Sequence, residues 1–138
     1  MNNDCIFCKI VAREIPCAKV FESETCLGFL DIAPVNKGHA LVLPKAHHPT
    51  LWDMPTELAE DMFAAMKSVS LAVREATGAD GLNVMQNNLE PAGQLVPHLH
   101  FHLIPRFGGD GLQLWDQGSY ASGDEMDELA SKIRNALR

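Results

Sequence analysis

Three histidines stand at alternate positions in this chain, His98, His100 and His102, with Leu99 and Phe101 between them. In a strand alternate side chains share a face, and neighbours on that face lie roughly 6.6–6.8 Å apart along the chain. The spacing places three imidazoles on one side and sends Leu99, Phe101 and Leu103 toward a core. Packing alone supplies no reason for such a row. A solvated face is one reading. A second is a metal site using all three imidazoles, since zinc accepts such ligands. The third is imidazole chemistry, with one ring attacking as nucleophile while its neighbours move protons or bind oxyanions. Spacing does not choose between the last two.

Other residues with chemical potential lie nearby or at the start of the chain. The loop 87–94 offers Asn87 and Gln94 as amides and Gly93 for close backbone approach, as a phosphate-holding loop would. It is no P-loop, for the chain lacks that signature. Cys5 and Cys8 form a C-x-x-C pair. A redox pair of this kind opens a helix after a strand, and position 5 leaves no room for that strand. Two cysteines alone do not complete a zinc site either, because a closed one needs four ligands. Cys17 and Cys26 read as small core residues, and His48 as a solvent-facing side chain.

The elements that must position these groups follow from pattern. Residues 5–13 predict a short helix stopped at Ile15-Pro16. Strands are expected over 19–22 and 26–31 as a hairpin, over 39–44, over 82–87 and over 96–104. Leu58, Met62, Ala65, Met66, Val69, Ala72 and Val73 recur at helical steps, predicting a long helix over 56–77 with Gly78 as its stop. The glycine-rich stretch 107–123 reads as irregular. After it, Ser122 and Glu125 have capping-box spacing, and Met126, Leu129, Ala130, Ile133 and Leu137 form the stripe of a C-terminal helix. The expectation is one α+β domain over residues 1–138 with an antiparallel sheet.

Composition sets the outer limits. The 138 residues carry 11 Lys plus Arg against 18 Asp plus Glu, a formal charge of -7. That balance argues against general binding to nucleic-acid backbone, which calls for a basic surface. With 46% hydrophobic and 21% charged residues, a folded globular domain is expected. No apolar stretch approaches the ~20 residues a membrane span requires. The opening residues have no basic segment followed by a hydrophobic core, so a cytoplasmic protein with reduced thiols is expected.

With these residues in view, the chain resembles the histidine triad family. His98-Leu-His-Phe-His-Leu-Ile104 meets that family's His-φ-His-φ-His-φ-φ pattern (φ apolar) at every position. Gly93-Gln94-Leu95-Val96 is similar to its Gly-Gln-x-Val lead-in. Ile15-Pro16, Phe29-Leu30-Asp31-Ile32, Lys37-Gly38-His39 and Leu43-Pro44-Lys45-x-His47 match in the same order, covering about residues 5–106 and leaving 107–138 as an extension. The Hint-like branch and its bacterial relatives are the nearest in pattern.

The resemblance implies an α+β histidine triad fold with a five-stranded antiparallel sheet, a long helix and a C-terminal helix. It implies a nucleotidyl hydrolase or transferase for purine nucleotide conjugates, phosphoramidates or adenylates first. Dinucleoside polyphosphate hydrolysis is the alternative, as is a nucleotide-binding regulatory protein with residual catalysis. His100 would attack the α-phosphorus, His102 would assist at phosphate or leaving group, and His39 would support the nucleophile. Asn87, Gly93 and Gln94 would contact phosphate together with His100 and His102. Asp31 would hold the ribose, with Phe7, Phe29 and Ile32 around the base. Leu95 departs from the serine common in Hint-like members and removes a hydroxyl contact. Zinc-containing members imply a structural Zn2+ on Cys5, Cys8, His47 and His98, with no organic cofactor. A homodimer through the long helix and a central strand is implied as well.

Overall fold

A computed structural model of the chain describes residues 2–138. A short helix, α1 (Ile6–Val11), precedes a hairpin of β1 (Lys19–Glu22) and β2 (Cys26–Leu30). Then follow β3 (Ala40–Pro44), α2 (Ala59–Thr77), β4 (Gly81–Gln86), β5 (Phe101–Arg106) and α3 (Gly123–Ala136). The five strands form one sheet in the order β1-β2-β3-β5-β4, and every neighbouring pair is antiparallel. The fold is therefore α+β, as expected. β5 returns between β3 and β4, which puts it inside the sheet, one strand from the edge.

The two faces are covered differently. On one, Met62, Ala65, Val69 and Val73 of α2 meet Cys26, Ala40, Val42 and Leu103. These positions follow the three- and four-residue steps read from sequence, and each large side chain buried here contributes about 1.5–3 kcal/mol. Gly78 ends α2 at φ 67°, a left-handed cap. On the other face α1 brings Cys5, Phe7 and Cys8 onto Leu27, Phe29, Leu41 and Leu43. That helix covers only the β2–β3 half. The β5–β4 half of this face is left without a helix.

Two element starts shift by more than two residues from expectation, and one cap differs. α2 begins at Ala59, because Thr56–Leu58 after Pro55 forms a 3-10 turn, a common lead-in to an α-helix. Glu125 N–H does donate to the Ser122 hydroxyl at 3.2 Å, but the Glu125 carboxylate reaches the Ala121 N–H rather than that of Ser122. The second shifted start concerns the triad. β5 starts at Phe101, not at Val96. Upstream, Pro97 has no N–H to give, His98 N–H turns back to Val96 C=O, and Leu99 N–H goes to His48 C=O. His98 and His100 therefore precede the ladder, and only His102 lies within it.

Candidate active site and metal cage

His98, His100 and His39 each have one nitrogen committed to a main-chain partner whose role is unambiguous, and that settles what the other nitrogen can do. Pro44 C=O lies 2.8 Å from His98 Nε2, so His98 donates there and its Nδ1 carries the free lone pair. His98 C=O lies 2.7 Å from His100 Nδ1. His100 is thus protonated at Nδ1 and bare at Nε2. Val35 N–H donates to His39 Nδ1 at 3.1 Å, which leaves the proton of neutral His39 on Nε2. That proton points at His102 Nδ1, 2.9 Å away. His102 in turn holds its own proton on Nε2. Asp31 sits beside this pair, its carboxylate 3.7 Å from His39 Nε2.

Burial keeps these rings neutral. It pushes His102 down to about 4, assisted by the neighbouring His100 and His39. It lowers His39 as well, partly offset by the charge of Asp31. His100 is lowered by burial against the opposing pull of the His98 carbonyl. Neutral His100 with a bare Nε2 is the form that can attack phosphorus. Its ring packs edge-on to Phe7 at a centroid distance of 5.0 Å and lies 4.9 Å from the ring of His102.

His98 faces elsewhere. Its Nδ1 lies 3.4 Å from Cys5 Sγ, 3.6 Å from Cys8 Sγ and 3.3 Å from His47 Nδ1, and Cys8 Sγ lies 3.4 Å from His47 Nδ1. With metal–sulfur bonds of about 2.3 Å and metal–nitrogen bonds of about 2.05 Å, a tetrahedron has S···N edges of about 3.5 Å and N···N edges of about 3.3 Å. The four donors match those edges. Burial pushes the Cys5 thiol up, so a thiolate there needs a cation beside it, and a divalent ion supplies one. The residues fit zinc. The reading with three triad histidines on one ion does not fit, because His98 turns its Nδ1 to the cysteines and spends its Nε2 on Pro44 C=O.

The remaining expected residues are placed as follows. Asn87 lies beside Gly93, its amide nitrogen 3.8 Å from where a Cβ on that glycine would stand. Gln94 is buried, and its amide is engaged at both ends: Oε1 accepts from Leu89 N–H at 2.7 Å and Nε2 donates to Pro49 C=O at 2.6 Å. That brace holds Leu89 at φ 70°, a conformation costly for a branched side chain. Phe29 and Phe7 are buried and pack edge-on at 5.7 Å, whereas Ile32 is fully exposed. His48 does not face solvent as expected: its Nε2 is buried without a partner among the described residues, and its C=O accepts from Leu99 N–H. Sequence reasoning did not find Val35 N–H, Pro44 C=O or His98 C=O, main-chain atoms that residue identity does not reveal.

Comparison with known proteins places the chain among relatives. The HIT domain family model matches residues 12–109. The adenosine 5'-monophosphoramidase of Schizosaccharomyces pombe is 47% identical over 135 residues, 97% of this chain and 98% of that protein. A crystal structure of a HIT family member from Bacillus subtilis superposes with a TM-score of 0.91 at 41% identity, covering 99% of each chain. A zinc-bound histidine triad protein from Mycobacterium smegmatis gives 0.75 at 37% identity over 96% of this chain and 97% of that one. With its triad intact and matches of this extent, the chain belongs to the HIT domain, or histidine triad, family.

Proposed function

We propose that the protein is a nucleotidyl hydrolase or transferase acting at the α-phosphate of purine nucleotide conjugates, phosphoramidates or adenylates foremost. The observation that carries this reading is the bare Nε2 of His100, held so by the His98 carbonyl, with His102 beside it. The name of the fission yeast relative supports it. His100 Nε2 forms a bond to phosphorus as the bond to the leaving atom breaks. The leaving atom keeps that electron pair and takes a proton, carried from solvent through His102 Nε2. Water then bonds to phosphorus, the His100 bond breaks with its pair returning to Nε2, and one water proton returns to solvent. Splitting one displacement into two is what a covalent nucleophile provides.

Around that centre, Asp31 would accept from ribose hydroxyls and Phe7, Phe29 and Ile32 would border the base. Asn87 and the Gly93 backbone would reach phosphate oxygens. Gln94 serves the same loop by bracing it. Zinc, held by Cys5, Cys8, His47 and His98, would pin α1 to the strand ends as a structural ion. Exposed Phe63 and Leu71 on α2 support a homodimer through that helix. Among the described residues no helix is long and apolar enough to cross a membrane, and a cytoplasmic setting suits the free thiols.

Brief mixing with an adenosine phosphoramidate, followed by mass spectrometry, should trap a nucleotidyl adduct on His100 that His100→Ala lacks. Failure of the unsubstituted chain to form an adduct or release AMP would mean a nucleotide-binding protein instead. Faster release from a dinucleoside polyphosphate would reverse the order of substrates.

A further inference from the structure

Leu89 stands at φ 70° and ψ 162°, a region that glycine enters freely and a branched side chain enters only at a cost. Its side chain is more than half exposed, so packing does not account for the strain. Hydrogen bonds on both sides of the residue do. Leu89 N–H donates to Gln94 Oε1 at 2.7 Å. Leu89 C=O accepts from Ala92 N–H and Gln94 N–H, each at 3.1 Å. Gly93 N–H on Glu90 C=O at 2.9 Å completes the closed turn. Asn87 Nδ2 stands 3.8 Å from the Cβ position of Gly93, so this turn keeps the two loop residues proposed for phosphate side by side.

The other end of the Gln94 amide leaves the loop. Nε2 donates to Pro49 C=O at 2.6 Å, in the segment that runs on from the cage residue His47. A second tie lies two residues further: Leu51 N–H donates to Asn88 Oδ1 at 2.8 Å, and Asn88 exchanges a pair of amide bonds with Gln86. Residues 47–51 are themselves fixed, by Leu99 N–H on His48 C=O and by Thr50 on the Asp53 carboxylate. The segment is a post, and the loop is lashed to it at 49–94 and at 51–88. A main-chain donor and a main-chain acceptor fix which end of the Gln94 amide is which. With both ends committed and 8% of its surface exposed, Gln94 has little left to give a ligand.

We propose that Gln94 is a positioning residue for the reaction, acting on the bound phosphate through the strained backbone of Leu89 rather than by touching it. The inference rests on the α-phosphate reading above and assigns Gln94 its task within it. Without the amide, Leu89 N–H and Pro49 C=O are left unpaired, and Leu89 relaxes out of its costly region. The turn then opens, and each binding event must order Asn87 and Gly93 again. His100 and His102 keep their tautomers, which His98 C=O and His39 set. Affinity falls while the chemical step is spared. A glycine at position 89 holds the same backbone without strain, so rescue by glycine separates the brace from a direct contact.

Gln94→Met keeps the buried volume and removes both bonds. Steady-state AMP release from an adenosine phosphoramidate and calorimetric binding of AMP are compared in the unsubstituted protein, Gln94→Met, Leu89→Gly and the double variant. In Gln94→Met, KM and the AMP Kd should both rise roughly tenfold, the scale of the strain no longer held, with kcat little changed. The double variant should recover most of that loss. Leu89→Gly alone should bind AMP as the unsubstituted protein does, with a urea midpoint no lower. A loss in the double variant equal to that in Gln94→Met overturns the proposal and assigns Gln94 a direct phosphate contact. Unchanged affinity in Gln94→Met overturns it too, as does a kcat loss without a change in KM. If Gln94→Met does not fold, the double variant is expected to fold and bind AMP, and unfolding of both overturns the proposal. All of these failures leave the α-phosphate reading standing, because the unsubstituted protein still releases AMP. No AMP release or binding by the unsubstituted protein removes that reading and the role of Gln94 with it.

Discussion

His39 Nε2 lies 2.9 Å from His102 Nδ1, and the proton in that bond belongs to His39, because Val35 N–H already occupies the other His39 nitrogen. The consequence is that His102 presents a donor, not a lone pair, to anything bound at the site. In the reaction proposed above, His39 would act only through His102, as a positioning residue.

His39→Ala should lower kcat by roughly 10²-fold, the lower end for a lost proton-transfer partner, with little change in KM. His39→Gln can keep an N–H toward His102 and should recover part of the loss. Steady-state AMP release across pH 5–9 separates this from simple unfolding, since His102 freed from His39 can take the wrong tautomer and alter the profile. A KM-only effect would contradict the positioning role.

Stability should depend on pH in a stated direction. His102 is held at about 4 in the folded chain, and its ordinary value is about 6.5. The unfolded chain therefore binds more protons between those values, and the stability present above about 6.5 is lost as pH falls toward 4. His39, lowered by burial, adds in the same sense. Urea midpoints measured from pH 4 to 8 should rise with pH, and the slope should be shallower in His102→Gln.

Removing a cage residue should remove the metal. Cys5→Ala and His47→Ala are expected to lose stoichiometric zinc by elemental analysis and to melt at lower temperature, because α1 loses its tie to the strand ends. Zinc retained at full stoichiometry in both variants would refute the ligand set. Chelation should lower the melting temperature while AMP release persists below it, since His100 donates nothing to the cage.

Gly38 should resist substitution for reasons outside the site. Its φ is +100°, and a Cβ there would stand 2.5 Å from Thr77 Cγ2. Thr77 is held in place by its hydroxyl bond to Val73 C=O at 2.7 Å. Gly38→Ala combines left-handed strain with a clash, and an unfolding free energy lower by about 1–3 kcal/mol is expected from denaturant titration.

The elements were readable where one physical pattern dominated. The apolar steps of α2 and the short apolar runs of β2 and β3 followed from burial against the sheet and on both of its faces, and boundaries held to within a few residues. The triad segment misled, because His-Leu-His-Phe-His alternates like a strand from its first residue. Pro97 and the pull of the cysteine cage bend the chain before Phe101, and that is a tertiary constraint no local pattern encodes. The triad row was legible by residue type and spacing, whereas His39, Asp31 and the metal group were named only through likeness to the family. Which nitrogen of each ring is free was not legible, because main-chain atoms of Pro44, His98 and Val35 decide it.

The bond from His100 to the His98 carbonyl bears on how such a site can change over generations. The atom that sets the nucleophile's tautomer is main-chain, so no substitution at position 98 deletes it. The His98 side chain can be lost along with Cys5 and Cys8 while the orientation of His100 is inherited unchanged. Metal dependence and nucleophile identity can therefore drift independently, even though both begin at one residue.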